Sequence, residues 1–454
     1  MISTLQTNIM LWMLAVVVVA AVRLRLYQRS TGLVLAYMAN LWLIHWPAAL
    51  TYLFPETAGV EAERVITGFR YSTLGILGFA AGSVLIAPFL VRILEPPRSH
   101  TDAAERRLPD ARLPFTYVLI GLASYLVLTP LLGRIPTVSA LVGATAQLII
   151  AGFCLGLWYF WFAGQRRKFL LLLLLAFALP MATILRQGFL GYGAAALITI
   201  FAFVAVFYRP RWRLVLIGTA VAYLGFSFYV TYMRDRGELR ASVWGGQSAV
   251  ERVARLSRTL TGIEWFNPGN PTHILRVTGR LNQNYLVGAA VRRIESGARD
   301  YARGETVWHA FQSLVPRAIW PEKPVRAGSP NIVSNYTGIS FALGTSVGIG
   351  QVMEFYINFG DLGVILGFVI LGVVITIIDT WAGMRLWAGD WLQFALWYLT
   401  GLAMIQAGGS LIEVVSSAGA AMLAVLFVNK YLVRLRLGPP RPAEPLQQSV
   451  TSSP

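Results

Sequence analysis

Apolar stretches of about 20 residues, separated by short clusters rich in Arg, Pro and Gly, recur along most of this 454-residue chain. A helix of about 20 apolar residues crosses a hydrocarbon core of about 30 Å. The pattern predicts eleven such helices, within a range of ten to twelve. They lie at roughly 7–22, 31–54, 72–94, 114–132, 139–163, 168–184, 188–208, 213–231, 361–381, 391–408 and 411–431. Strand-like alternation is nowhere evident. The chain therefore reads as an all-α integral membrane protein in four parts: an N-terminal bundle of about eight helices (1–231), a large helical loop (232–360), about three C-terminal helices (361–433) and a tail (434–454). The tail is rich in Pro, Gln and Ser and reads as disordered.

Within the loop the apolar positions keep helical spacing. Val250, Val253, Leu256 and Leu260 alternate with Arg252, Arg255 and Arg258, which suits a helix lying in the headgroup plane. Residues 273–295 read as a second helix with Thr272 as its N-cap, and a third starts near Gly304 and ends before Pro316.

Charge then orients the spans. Basic clusters follow every second one: Arg23, Arg25 and Arg29; Arg92 to Arg112; Arg166, Arg167 and Lys168; Arg209, Arg211 and Arg213; Arg385; and Lys430, Arg434 and Arg436. The positive-inside bias places these clusters in the cytoplasm together with the C-terminus, and the N-terminus and large loop outside. No basic residue precedes Met10, so the first span reads as uncleaved. The overall charge of +17 belongs mainly to membrane boundaries and argues against a nucleic-acid partner. The loop carries fifteen basic and nine acidic residues, an excess that topology does not demand of so long a segment and that suits an anionic partner. The single Cys154 permits no disulfide within the chain.

The spans are nearly free of charge. Asp379, Arg385 and Glu413 fall at span ends, and His45 is the main polar interior candidate, best read as a helix–helix hydrogen-bonding residue. That poverty counts against ion-coupled transport. Polar groups gather on the loop side: Arg186 in the turn before the seventh span, then Arg276, Arg280, His309, Arg317, Lys323 and Arg326, with Glu354 and Asp361 near the ninth span. Arg and Lys can stabilise negative charge on a pyrophosphate leaving group, and His309 or Glu354 can take a proton from a hydroxyl. Asp-x-Asp does not occur, the four histidines lack ligand spacing, and there is no phosphate-binding glycine loop, so neither a metal nor a nucleotide donor is expected. Trp320, Phe355, Tyr356 and Phe359 read as interfacial anchors.

Three prolines stiffen the stretch Val315-Pro316-Arg317-x-x-Trp320-Pro321-x-Lys323-Pro324. With Thr345 to Gly350 and Glu354-x-Tyr356-x-Asn358-Phe359-Gly360-x-x-Gly363, it resembles the pattern of Wzy-type oligosaccharide repeat-unit polymerases, the O-antigen polymerase-like family. The resemblance covers about 50 residues and is supported by the number of spans, the late large loop and the Arg186 turn. It implies a metal-independent, GT-C-like glycosyltransferase of the bacterial inner membrane, with no cofactor. Such an enzyme moves a growing glycan from polyprenyl pyrophosphate to the next lipid-linked unit at the outer face. Arg317, Lys323 and Glu354 match motif positions and Arg186 matches more loosely; His309 rests on its chemistry alone. The implied partners are polyprenyl-pyrophosphate-linked oligosaccharides, a chain-length regulator, other glycan-assembly proteins and membrane lipids. An O-antigen ligase shares this architecture. A flippase of lipid-linked glycans is the rival from another class, although a transporter is expected to show broken spans and polar groups at mid-membrane.

Overall fold

The computed structural model describes residues 2–25, 30–53, 61–94, 110–133, 135–208, 211–315, 319–320, 322, 328–342, 345 and 347–433. Among them every regular element is helical. The apolar segments become α1 (Ile2–Arg25), α2 (Leu33–Thr51), α3 (Ala62–Leu94), α4 (Arg112–Leu132), α5 (Val138–Phe162), α6 (Arg166–Gln187), α7 (Gly191–Phe207) and α8 (Arg211–Trp244). The loop contributes α9 (Ala249–Thr261), α10 (Pro271–Thr278), α11 (Gln283–Glu295), α12 (Glu305–Ser313) and α13 (Ser329–Thr337). The last three are α14 (Gln351–Trp387), α15 (Trp391–Met404) and α16 (Leu411–Val433).

Each of the eleven apolar segments is therefore helical, but they are not equally long. Nine of the described helices have the length and composition to cross a membrane, whereas α7, at 17 residues, and α15, at 14, are shorter. Large apolar side chains on the spans face outward, among them Leu85, Phe89, Leu131, Leu171 and Ile370. On membrane helices such a surface is met by lipid. The tail from 434 lies outside the described residues.

Two boundaries differ from expectation. α8 does not stop at 231 but continues unbroken to Trp244, and its 34 residues rise about 51 Å, well past a 30 Å core. α14 starts at Gln351 and bends at Phe359–Gly360, so the expected edge at 361 coincides with a kink inside one long helix.

The core is built around α14, which packs along α3 and α15 with Phe368, Phe79, Phe394 and Tyr398 buried among them. On the side opposite the large loop, Asp379 of α14 gathers the α1–α2 turn. Its Oδ2 accepts from Arg23 Nη2 (2.8 Å) and Ser30 Oγ (2.7 Å). Its Oδ1 accepts from Thr31 N (2.8 Å), Thr31 Oγ1 (2.7 Å) and Leu33 N (3.1 Å). Asp379 and Arg23 retain 0% and 2% exposure. The carboxylate thus serves as ion-pair partner, turn organiser and acceptor for the first N–H of α2.

The loop does not simply lie on the surface. The expected helix over 273–295 is two helices, because the chain turns at Gly279–Asn282; Asn270, not Thr272, is the N-cap, its Oδ1 accepting the Thr272 N–H at 2.9 Å. The second piece, α11, packs against the Ala62–Ala81 part of α3 as extensively as α14 does. Its Asn284 exchanges two bonds with His45 of α2, Nδ1 to Oδ1 at 2.6 Å and Nδ2 to the His45 carbonyl at 2.7 Å. His45 is thus the helix–helix hydrogen-bonding residue expected, and its partner comes from the loop.

Two glycines make that approach possible. A Cβ on Gly68 would stand 1.9 Å from the Asn284 carbonyl oxygen, and one on Gly288 would stand 1.9 Å from that of Arg64. Small residues let helix backbones meet in a membrane protein. Gly288→Val is expected to prise α11 from α3 and to destabilise by about 1–3 kcal/mol, the range for overpacking. An unchanged thermal unfolding midpoint of the purified variant would show that this contact does not hold the loop.

Candidate functional site

The turn between α6 and α7 is strapped down by the loop side of the molecule. Gly188 adopts φ 73°, a left-handed conformation suited to glycine, and closes α6 with a 2.9 Å bond to Ile184 O. Its carbonyl accepts from Tyr232 Oη (2.8 Å) and Arg240 Nε (3.2 Å) of α8. Arg252 of α9 donates to Leu185 O at 2.9 Å. Behind them Ile184, Leu190, Tyr232, Leu239 and Leu256 form a small separate core. α9 therefore lies on α6 and α8 through Leu256 and leaves Val250 and Val253 exposed, which agrees with a helix in the headgroup plane.

Positive charge accumulates here. Arg236 and Arg240 are one turn apart on α8, and Arg280 from the α10–α11 turn comes within their electrostatic reach. Partial desolvation, then the field of Arg236, lowers the pKa of Arg280. The Arg240 guanidinium lies over Phe189 (4.3 Å) and Trp244 (5.4 Å). Arg186 lies 4.2 Å over the Tyr125 ring, beside the same turn. Among the described residues Arg236, Arg240 and Arg280 have no carboxylate partner. Other loop-side arginines do: Arg234 pairs with Asp235 and Glu264, Arg255 with Glu238, and Arg292 with Glu63.

Arg276 also belongs to this paired class. Its Nη1 meets Glu264 Oε2 at 2.6 Å, and the same carboxylate takes Arg234 Nη1 (2.8 Å) and His273 Nε2 (3.2 Å). Burial acts to raise the Glu264 carboxyl, but Arg234 and Arg276 outweigh it and hold it below the ordinary carboxylate range. Arg276 thus fastens α10 to the end of α8, whereas Arg280, four residues on, is uncompensated.

Next to Arg280 stand polar atoms without partners. Asn282 Oδ1, Gln283 Oε1 and Tyr229 Oη are buried and make no hydrogen bond among the described residues. Gln283 Nε2 donates to Gly348 O at 3.2 Å, which joins this corner to the Thr345–Gly350 segment. Buried polar atoms of this kind call for a hydrogen-bonding ligand or solvent.

The second corner is the start of α14. Glu354 is fully buried, and its Oε2 accepts the Leu411 N–H at the head of α16 at 2.6 Å. One turn later Asn358 donates to Thr306 Oγ1 and to Glu354 O, both at 2.7 Å, and accepts from Gly304 N at 3.0 Å. α12 is thereby pinned to α14, and His309 follows Thr306 by one turn, partly exposed, with Nε2 3.9 Å from Glu305 Oε1. The structure thus brings Glu354 and His309 to one junction but gives them different access. Glu354 ties two helices together and meets no solvent, while His309 keeps 11% of its side chain exposed. Phe355 and Tyr356 are likewise core residues, not interfacial anchors; Phe359 and Trp320 are exposed. Arg317, Lys323 and Arg326 lie outside the described residues.

The kink itself is held from the loop. Gly360 takes φ 64°, ψ −144°, a region open essentially to glycine. Ala302 N bonds Ile357 O at 2.7 Å, and with the Gly304–Asn358 bond this fixes Arg303 between two anchored residues at φ 47°. A cavity of about 420 Å³ opens there, lined by Tyr301, Arg303, Asn358, Phe359, Gly360, Asp361 and Leu362.

Reading the sequence alone misses Arg236, Arg240, Tyr229, Asn282 and Gln283. The available signal is Arg at i and i+4 on the continuation of an apolar helix, with Tyr229 and Tyr232 on the turns before it. In comparisons with known proteins, a family model described as a domain of unknown function (DUF8712) matches residues 97–437. No curated protein and no solved structure matches the chain.

Proposed function

This chain belongs to the DUF8712 family, a domain of unknown function, and from that starting point we propose that it is a membrane glycosyltransferase that polymerises lipid-linked oligosaccharide repeat units. The observation that carries the reading is the trio Arg236, Arg240 and Arg280, uncompensated by any described carboxylate and grouped at the strapped Gly188 turn. Guanidiniums held together without counter-charge repel one another, and a diphosphate relieves that repulsion through charge-assisted bonds. The unpartnered Asn282 and Gln283 oxygens beside them suit the hydroxyl donors of a sugar.

On this reading the reaction uses these groups as follows. An acceptor hydroxyl oxygen forms a bond to C1 of the donor sugar while the bond from C1 to the pyrophosphate oxygen breaks. The electron pair stays on the leaving pyrophosphate, where Arg236, Arg240 and Arg280 stabilise it. The hydroxyl proton goes to a base, and His309 is the accessible candidate at the α12–α14 junction. Glu354 holds α14 and α16 in register through Oε2, while its buried Oε1 has no partner among the described residues.

The decisive experiment is to delete the gene and size the lipid-linked glycans on each side of the membrane. Single repeat units at the outer face support the proposal. Intact polymer left on its carrier would assign a ligase, and units held at the cytoplasmic face would assign a flippase.

A further inference from the structure

The cavity at the α14 kink holds none of the groups assigned to the proposed reaction, although Asn358, Phe359 and Gly360 are motif positions of the resemblance. It holds one cation and one anion on a lipid-facing edge. Arg303 has no carboxylate partner among the described residues. Among the described residues Asp361 accepts one hydrogen bond, from Tyr71 Oη at 2.9 Å, which leaves its other oxygen lone pairs available to a ligand. Below the cavity Leu362, Leu366 and Ile370 follow one another at i, i+4 and i+8 and are exposed, a stripe that faces acyl chains. Phe359 and Leu362 form the rim, 54% and 68% exposed. The charged pair therefore stands at the top of a lipid-facing stripe, at headgroup level.

We propose that this cavity is a headgroup site for a zwitterionic phospholipid bearing a primary ammonium, with the phosphate against Arg303, the ammonium against Asp361 and an acyl chain along Leu362, Leu366 and Ile370. The backbone supports the assignment. The Arg303 backbone is fixed in an unfavourable left-handed conformation by bonds on both sides, which sets the direction in which its side chain leaves the chain. Tyr71 orients Asp361 from α3, so the anion is positioned from a separate helix. A primary ammonium donates hydrogen bonds to a carboxylate, and a trimethylammonium cannot. The site thus distinguishes an ethanolamine headgroup from a choline one. The acyl stripe commits it to a bilayer lipid and not to the free headgroup.

The test is native mass spectrometry of the full chain in detergent, titrated with phosphatidylethanolamine, phosphatidylcholine and phosphatidylglycerol of matched acyl chains. Phosphatidylethanolamine is expected to bind about tenfold more tightly than phosphatidylcholine, the scale of a charge-assisted hydrogen bond. Asp361→Asn is expected to bring the two together, and Arg303→Asn, which tolerates the left-handed backbone, to weaken both. Millimolar phosphoethanolamine is expected not to displace the lipid. Equal binding of the two zwitterionic lipids to the unsubstituted chain would overturn the proposal, and so would tighter binding of phosphatidylglycerol than of phosphatidylethanolamine. Displacement by free phosphoethanolamine would overturn the assignment to a bilayer lipid. Because the unsubstituted chain alone decides these points, a variant that fails to fold does not blunt the test. The result is also independent of whether the protein polymerises glycans.

Discussion

Asp379→Ala is expected to leave little folded protein in the membrane. The carboxylate takes five hydrogen bonds from the α1–α2 turn, and its removal strands Arg23, 2% exposed, without its counter-charge. Breaking a buried pair from one side destabilises by about 3–5 kcal/mol, against a total stability of about 5–15 kcal/mol for a typical domain. The backbone N–H groups of Thr31 and Leu33 lose their acceptor in the same step. Asp379→Asn keeps an acceptor oxygen in place and is expected to fall between the two. Size-exclusion profiles and unfolding midpoints of fluorescently tagged variants measure this directly. A monodisperse alanine variant with an unshifted midpoint would mean that the turn is organised by packing alone.

The second large effect concerns activity and leaves the fold alone. Arg280→Ala is expected to lower polymer formation about a hundredfold, the scale for losing one donor to a developing negative charge. Its unfolding midpoint is expected to hold, because Arg280 has no carboxylate to abandon among the described residues. Arg280→Lys keeps the charge but loses the planar fork, so part of the activity is expected to return. Arg276→Ala provides the contrast. Arg276 binds Glu264 at 2.6 Å, so its loss is expected to lower the midpoint and to affect polymer only through the amount of folded protein. If Arg280→Ala makes polymer of normal length and quantity, the arginine trio does not bind the leaving group.

The two arginines differ by four positions, and that difference was not legible in the chain. Both read as cations on one helix of the loop, and only the arrival of Glu264 from the α9–α10 connection separates the paired one from the unpaired one. Arg236 and Arg240 escaped notice for another reason. A run of about 20 apolar residues marks a span, so the helix was expected to stop where charges begin; the hydrogen-bonded ladder of α8 carries on through them to Trp244. What periodicity controls was readable: each apolar run is a helix, α9 spans the Val250 to Leu260 pattern, and α12 runs between Gly304 and Pro316 as expected. The burial of α11 was not. Asn284, Gly288, Ala289 and Ala290 look like a weakly amphipathic surface, yet in a membrane protein small and amide side chains mark close helix contact. Glu354 shows the limit most sharply. The sequence expects a proton acceptor there, whereas its bond to the Leu411 N–H, 57 positions away, is a matter of tertiary structure.

The Asp379 cluster also sets a timetable for biosynthesis. Arg23 and Asp379 are separated by 356 positions. At about 5–20 residues per second, the ribosome needs roughly 20–70 s to produce the second after the first. Throughout that interval α1 and α2 stand in the bilayer with the Arg23 guanidinium and the Thr31 and Leu33 amides lacking the acceptor that later satisfies them. The α1–α2 pair is therefore locked only after α14 has been made, however early its own helices form.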